Sequence, residues 1–242
     1  MTSPRPTVLI TGGTRGIGRA VADALAPDHD LLIGGRSADE VAAVCKQLPS
    51  ARPFVADIAD EAATNAAVEA LGLTRLDGLV HSAGLSVGVP TPESTRDVWR
   101  KVLEINVIAV SDLTRLLLDA LVAAEGTIVM LNSGAGLRAN GTGGHYPASK
   151  FALTALTDVL REELRPSGVR VCSVHPGRVD TDMQQEIVAR DGRDYNAAEF
   201  LRPESVAVAV RTAITASPDA AYETISIRPA PAATNQRQGL TR

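Results

Sequence analysis

Short apolar runs alternate with longer, helically patterned segments along the whole of this chain, and that rhythm admits few folds. The runs lie at residues 7–11, 30–34, 52–56, 76–82, 126–132 and 169–174, with a last one at 221–227. Between them, amphipathic or alanine-rich stretches of helical period cover 17–26, 39–48, 61–71, 99–124, 146–164 and 199–216. A strand, a helix and a second strand close as a right-handed parallel crossover. The expectation is therefore one α/β domain over residues 1–242, a Rossmann-type, doubly wound parallel sheet of about seven strands with helices on both faces. Residues 1–6 and 229–242 have the composition of flexible ends. In such a sheet, binding and chemistry collect at the carboxyl ends of the strands.

Composition narrows the class of partner. Hydrophobic residues make up 45% of the chain and aromatics only 3%, so the core must be built from Ala, Val, Leu and Ile, the usual filling of parallel strands. The net charge of −4, with basic residues scattered, gives no reason to expect nucleic acid or an anionic membrane as a partner. Two cysteines, Cys45 and Cys172, fit neither a disulfide framework nor a zinc site, and no apolar run reaches the 18 residues of a membrane span. A soluble, cytoplasmic protein is expected.

Two local patterns carry chemistry. The first strand runs into Thr11-Gly12-Gly13-Thr14-Arg15-Gly16-Ile17-Gly18 and then a helix. Glycines there permit a tight turn and a close approach of backbone to phosphate, and the helix N-terminus favours a pyrophosphate; a glycine cluster can also merely make a turn. The second pattern is Tyr146-Pro147-Ala148-Ser149-Lys150, in a chain with three lysines against 21 arginines. Positions i and i+4 share a helix face, so an ammonium would lie beside a phenol and draw its pKa down toward neutrality, where a proton donor works best. The alternative is an ordinary surface pair.

The spacing Gly12-x-x-x-Gly16-x-Gly18, together with Tyr146-x-x-x-Lys150, resembles the short-chain dehydrogenase/reductase family. Further motifs agree in order: Asn106 in Glu104-Ile105-Asn106-Val107, Ser133 in Leu131-Asn132-Ser133-Gly134, and Pro176-Gly177-Arg178-Val179-Asp180-Thr181. The family's Asn-Asn-Ala-Gly is replaced by His81-Ser82-Ala83-Gly84, which keeps only Ala83 and Gly84. The resemblance spans roughly residues 7–227 and implies hydride transfer between a nicotinamide dinucleotide and a small carbonyl or alcohol substrate. Tyr146 would be the general acid/base, Lys150 would tune it and grip the nicotinamide ribose, Ser133 would orient the substrate oxygen, and Asn106 would hold a water linking Lys150 to solvent; taken singly, Ser133 has a strand end and Asn106 a polar residue at a helix kink as alternatives. The dinucleotide would lie on Thr11, Gly12, Thr14, Arg15, Gly16, Ile17 and Gly18. Asp57 and Ile58 would flank the adenine, Ala83 and Gly84 the middle, and Pro176, Gly177, Val179 and Thr181 the nicotinamide.

Cofactor choice rests on charge. NAD-binding members carry a carboxylate at the end of the second strand, where Leu32-Ile33-Gly34-Gly35-Arg36 offers a guanidinium. A carboxylate repels a 2′-phosphate and a guanidinium binds it, so NADP(H) is expected over NAD(H), with Arg36 and Arg15 as its cations; both as solvated surface charges is the alternative. Asp57 has a helix N-cap as its alternative. His145 and His175 each adjoin a motif but have no partner at metal-ligand spacing, so no metal is expected; His145 reads as a satisfied or exposed histidine, with a place in the lining of the substrate pocket as the alternative. Substrate choice falls to residues 85–93, 137–145 and 183–200. The last, with Tyr195 and Phe200, reads as a lid that closes an apolar pocket or as local packing, and Arg138, Arg178, Arg190 and Arg193 lie near the expected mouth. Within enzymes, a 3-oxoacyl carrier-type reductase is the alternative, although Tyr222-Glu223-Thr224-Ile225-Ser226-Ile227-Arg228 departs from the Val-Asp-Gly-Gly ending common there. A non-catalytic NADP(H) sensor would not need Tyr146 or Lys150. The long helices at 99–124 and 146–164 are expected to pair subunits in a homodimer or homotetramer.

Overall fold

The computed structural model describes residues 5–139 and 143–230. Seven strands, β1 (Thr7–Thr11), β2 (Asp30–Gly35), β3 (Ala51–Val55), β4 (Gly78–His81), β5 (Thr127–Leu131), β6 (Arg170–Pro176) and β7 (Thr224–Ile227), form one parallel sheet in the order β3-β2-β1-β4-β5-β6-β7. The order reverses between β1 and β4, and the crevice that such a reversal leaves at the carboxyl ends is where a Rossmann-type sheet takes its ligand.

Alternation along each strand builds the two faces. In β1, Val8 and Ile10 point to one side, with Leu31, Ile33, Val129 and Val174, and pack under helices α1 (Gly16–Leu25), α2 (Ala38–Cys45) and α9 (Pro203–Ile214). Leu9 points to the other side with Leu32, Leu79, Ile128 and Met130, under α3 (Glu61–Leu71), α5 (Ala109–Leu116), α6 (Leu118–Ala124) and α7 (His145–Leu164). All six named β1 and β5 side chains are fully buried, and each such buried apolar side chain contributes about 1.5–3 kcal/mol. A one-residue slip of register would put these side chains on the wrong faces.

The structure departs from the pattern-based elements in three places. The helix expected over 99–124 begins earlier and is broken into α4 (Arg96–Leu103), a π-turn at Glu104–Ile108, α5 and α6. Residues 183–200, expected as a lid, contain helix α8 (Asp182–Arg190), capped by the Thr181 hydroxyl, which accepts from Gln184 N at 3.4 Å. The ends are tied more closely than their composition implies. Arg5 donates to the carbonyls of Ala26 and His29 at 2.7 Å each and pairs with Asp30, and Pro229 packs on Gly177. The rest of both expected flexible ends, 1–4 and 231–242, lies outside the described residues, as do 140–142 of the 137–145 segment. Among the described residues, no helix is long and apolar enough to cross a membrane.

Candidate active site

The glycine turn is shaped by close approach. Gly12 (φ +63°) and Gly16 (φ +54°) occupy the left-handed region that strains other residues. A Cβ on Gly12 would stand 3.0 Å from the Ala83 backbone, and one on Gly18 would collide with the Gly12 carbonyl. The turn thus folds flat against the end of β4 and leaves the start of α1 open, the cradle that a dinucleotide pyrophosphate requires. Thr11 fixes this seam from inside. Its buried hydroxyl accepts from Ser82 N and Ala83 N at 3.1 Å each, which places it as a structural tie and not on the ligand side.

The remaining cofactor residues converge on the same crevice from other strands. A Cβ on Gly16 would lie 3.5 Å from Thr181 Cγ2, so the phosphate turn and the segment after β6 face one another. Thr14 packs beside Gly35, at the end of β2, and Ile17 packs onto the core. Arg36 is exposed and has no ion-pair partner among the described residues, whereas Arg15 is held by Asp182 Oδ2 at 3.3 Å across the crevice. Asp57 is no helix cap. Its carboxylate accepts from Ala59 N at 3.1 Å, Ile58 follows in the same turn, and Asp60 caps α3 instead. Pro176 is buried, Gly177 N donates to Ile227 O at 2.7 Å, and Val179 bridges to Leu201.

The four candidate catalytic residues are brought together. A Cβ on Gly84 would be 3.5 Å from Asn106 Oδ1 and 3.9 Å from Lys150 Nζ, and Lys150 Nζ lies 5.8 Å from the centre of the Tyr146 ring. Lys150 is buried and donates to Leu131 O at 3.0 Å; burial pushes its pKa down to about 8. The Tyr146 phenol is moved up, not down: its own burial dominates, and the side-chain hydrogen bond with Ser133 pulls the other way. Expecting Lys150 to depress the tyrosine overlooked that burial acts on both groups.

Asn106 sits in the π-turn and its side chain is a clasp. Oδ1 accepts from Leu85 N at 2.8 Å, and Nδ2 donates to Leu85 O at 2.9 Å and Ser149 Oγ at 3.0 Å. Both amide hydrogens are engaged, so the side chain has none to offer the water expected beside Lys150. The π-turn itself widens the helix where this amide must reach two segments.

Three supports escaped the sequence reading. His175 bonds the Ser133 carbonyl through Nδ1 at 2.9 Å and Ser173 Oγ through Nε2 at 2.8 Å; Asn132 accepts from Ser133 N at 2.9 Å. His145, fully buried, bonds Val87 O and Ser94 Oγ. The only signal for either histidine was its place beside a motif. Tyr195 and Phe200 pack on each other, ring centres 5.2 Å apart, with the Arg178 guanidinium over Phe200; this is local packing within the 183–200 segment. Arg193 is paired with Glu199.

Residues 6–192 match the family described as short chain dehydrogenase. A serine 3-dehydrogenase of Agrobacterium fabrum is 34% identical over 200 residues, which cover 81% of this chain and 79% of the relative. A 3-oxoacyl-[acyl-carrier protein] reductase of Brucella melitensis with bound NAD superposes with a TM-score of 0.82 at 31% identity, over 94% of this chain and 91% of the other. An alcohol dehydrogenase of the archaeon Thermococcus sibiricus complexed with 5-hydroxy-NADP superposes at 0.83 and 26% identity, over 93% and 96%.

Proposed function

Because this chain belongs to the short-chain dehydrogenase/reductase family, whose oxidoreductases act on CH–OH and C=O groups, we propose that it interconverts a ketone or aldehyde and an alcohol with NADP(H), using Tyr146 as general acid/base. The observation that carries this reading is the convergence of Ser133, Tyr146 and Lys150 beside a glycine cradle that a Cβ would fill. The 12–18 turn, Arg36, Asp57, the Ala83-Gly84 segment and the 176–181 turn would hold a nicotinamide dinucleotide, which would supply or accept the hydride.

The chain's own residues handle the proton and the oxygen. As a carbonyl is reduced its oxygen becomes alkoxide-like, and Tyr146 gives it a proton. A phenol whose pKa burial has raised stays protonated through neutral pH, which suits it to donate in the reductive direction. The Ser133 hydroxyl orients the same oxygen and stabilises the tyrosinate left behind. Lys150, on the same helix face, holds a positive charge close to that tyrosinate and returns the proton; its hydrogen bond to Leu131 O keeps the ammonium aimed.

NADP(H) is favoured by Arg36, which just after β2 has no ion-pair partner among the described residues, with no carboxylate between Leu32 and Arg36. Arg15 contributes less because Asp182 already holds it. We read the chain as a homo-oligomer, supported by Ile108, Phe151 and Val159, which lie 53%, 44% and 52% exposed on the π-turn and α7. Following NADPH absorbance with a panel of ketones, aldehydes and diketones tests the activity. Turnover that Tyr146→Phe abolishes while NADPH still binds is expected; tight NADPH binding with no turnover of any carbonyl would favour a sensor.

A further inference from the structure

The segment that leaves β4 toward α4 is fastened at four points, one to the π-turn and three to the start of α7, the helix that carries Tyr146 and Lys150. Leu85 is clasped by Asn106. Val87 O receives His145 Nε2 at 2.6 Å, and Ser94 Oγ lies 3.2 Å from Nδ1 of the same ring. Thr91 Oγ1 accepts from Gly144 N at 2.7 Å. Gly143 (φ +87°) permits the approach, since a Cβ there would stand 2.6 Å from Val89 O. From α8, the Arg190 guanidinium occupies the space beside Gly88 that any side chain at that position would need.

His145 is the centre of this clamp and immediately precedes Tyr146. Val87 O can only accept, so Nε2 carries the hydrogen; Nδ1 presents its lone pair to the Ser94 hydroxyl, whose one hydrogen it shares with the carbonyls of Pro90 at 3.0 Å and Val89 at 3.3 Å. The ring is fully buried and meets the edge of Trp99 on α4, ring centres 6.0 Å apart at 79°. Among the described residues, the ring's hydrogen bonds run to residues 85–94, a segment that begins beside Lys150 and passes under Arg190.

We propose that His145 is a positioning residue that determines carbonyl-substrate specificity, by holding residues 85–94 as a wall of the substrate pocket at a fixed distance from Tyr146. The inference rests on the carbonyl-reductase reading of the site. The cofactor cradle is built from other segments, so loss of the clamp separates substrate recognition from cofactor binding. His145→Leu keeps most of the volume and removes both polar atoms, whereas His145→Gln retains an N–H for Val87 O and an acceptor for Ser94.

The test compares wild type, His145→Leu, His145→Gln and Ser94→Ala in NADPH-dependent reduction of small and bulky ketones, alongside NADPH affinity and emission from Trp99, the chain's single tryptophan. Removing one buried hydrogen bond changes an equilibrium about tenfold. We expect His145→Leu to raise KM for the preferred ketone by about tenfold and flatten the small-to-bulky preference, with kcat changed less than about threefold. NADPH affinity stays at the wild-type level, Trp99 emission shifts, and His145→Gln restores both KM and emission. Ser94→Ala shows the same trend more weakly and stands in if His145→Leu does not fold. The proposal is overturned if KM is unaffected, if NADPH affinity falls in step with KM, or if His145→Gln is as impaired as His145→Leu. Absence of wild-type turnover with every carbonyl sinks the reductase reading instead; the clamp is then judged on Trp99 alone, and unchanged emission in His145→Leu overturns it.

Discussion

Nδ1 of His175 lies 2.9 Å from the carbonyl oxygen of Ser133, and Nε2 lies 2.8 Å from Ser173 Oγ. A carbonyl only accepts, so Nδ1 carries the hydrogen and Nε2 takes the Ser173 hydroxyl; burial lowers the ring's pKa and keeps it in that neutral form. The next residues, Pro176 and Gly177, open the turn assigned to the nicotinamide, so one ring ties that turn to the serine that faces Tyr146.

His175→Ala removes the tie without touching the phenol or the ammonium. Gly136 N still donates to Ser133 O at 3.0 Å, so the turn keeps its course but loses its rigidity. The expected result is a fall in kcat of about tenfold, the equivalent of one buried hydrogen bond, with Tyr146→Phe far more severe. Steady-state kinetics on the two variants measure the difference; a His175→Ala enzyme with wild-type kcat would show that Ser133 needs no such support.

Lys150 is a stability cost that the site tolerates. Its pKa is pushed down from 10.5 to about 8, so folding disfavours the ammonium, and below pH 8 the folded state carries that penalty in full. The sign follows from proton counts: between about 8 and 10.5 the unfolded chain binds more protons, so stability rises with pH there. Lys150→Met removes roughly 3 kcal/mol of penalty and loses one charge-assisted hydrogen bond, to Leu131 O, of about 1.5–3 kcal/mol. We expect a variant more stable by up to about 1.5 kcal/mol at pH 7 and without reductase activity. Denaturant unfolding at pH 7 checks this, and a destabilised Lys150→Met would show that the Leu131 bond outweighs the buried charge.

The alternation of apolar runs placed six of the seven strands to within about two residues, because burial on both faces leaves a strand little but Val, Leu and Ile. At β7 the run overshot by three residues, since only 224–227 pairs with β6. The break at Glu104–Ile108 was legible only as the alternative of a kink at Asn106: its residues keep a helical apolar period, and the π-turn lets Asn106 reach Leu85 and Ser149, contacts fixed only in the folded chain. Motif spacing marked Ser133, Tyr146 and Lys150. It did not mark His145 or His175, whose roles depend on carbonyls 58 and 42 residues away.

His81 stands where the family has asparagine. It is buried, bonds Thr114 Oγ1 at 2.9 Å, and burial drives its pKa down to about 3. Thr114 gives its own hydrogen to Val110 O at 2.8 Å, so His81 Nε2 is the donor and the ring is neutral. The unfolded histidine titrates near 6.5, so between about 6.5 and 3 the unfolded state binds the extra proton. Stability is complete above pH 6.5 and falls with acidification by about 1.4 kcal/mol per pH unit. His81→Asn removes this slope, which denaturant midpoints at pH 7, 6 and 5 will show; equal slopes in both proteins would place the acid sensitivity elsewhere.

Arg36 and Arg15 differ in what they can give a 2′-phosphate. Arg36 is exposed and unpaired among the described residues, so a phosphate meets its full charge. Arg15 must first leave Asp182, and the carboxylate 3.3 Å away repels the incoming anion. A charge-assisted hydrogen bond contributes about 1.5–3 kcal/mol, so Arg36→Gln should weaken NADPH roughly 10- to 100-fold and NADH hardly at all. Arg15→Gln should cost less, and Asp182→Asn should tighten NADPH by freeing Arg15. Fluorescence titration of both cofactors against the three variants measures the set; an equal loss of NADH and NADPH in Arg36→Gln would reject Arg36 as the phosphate's partner.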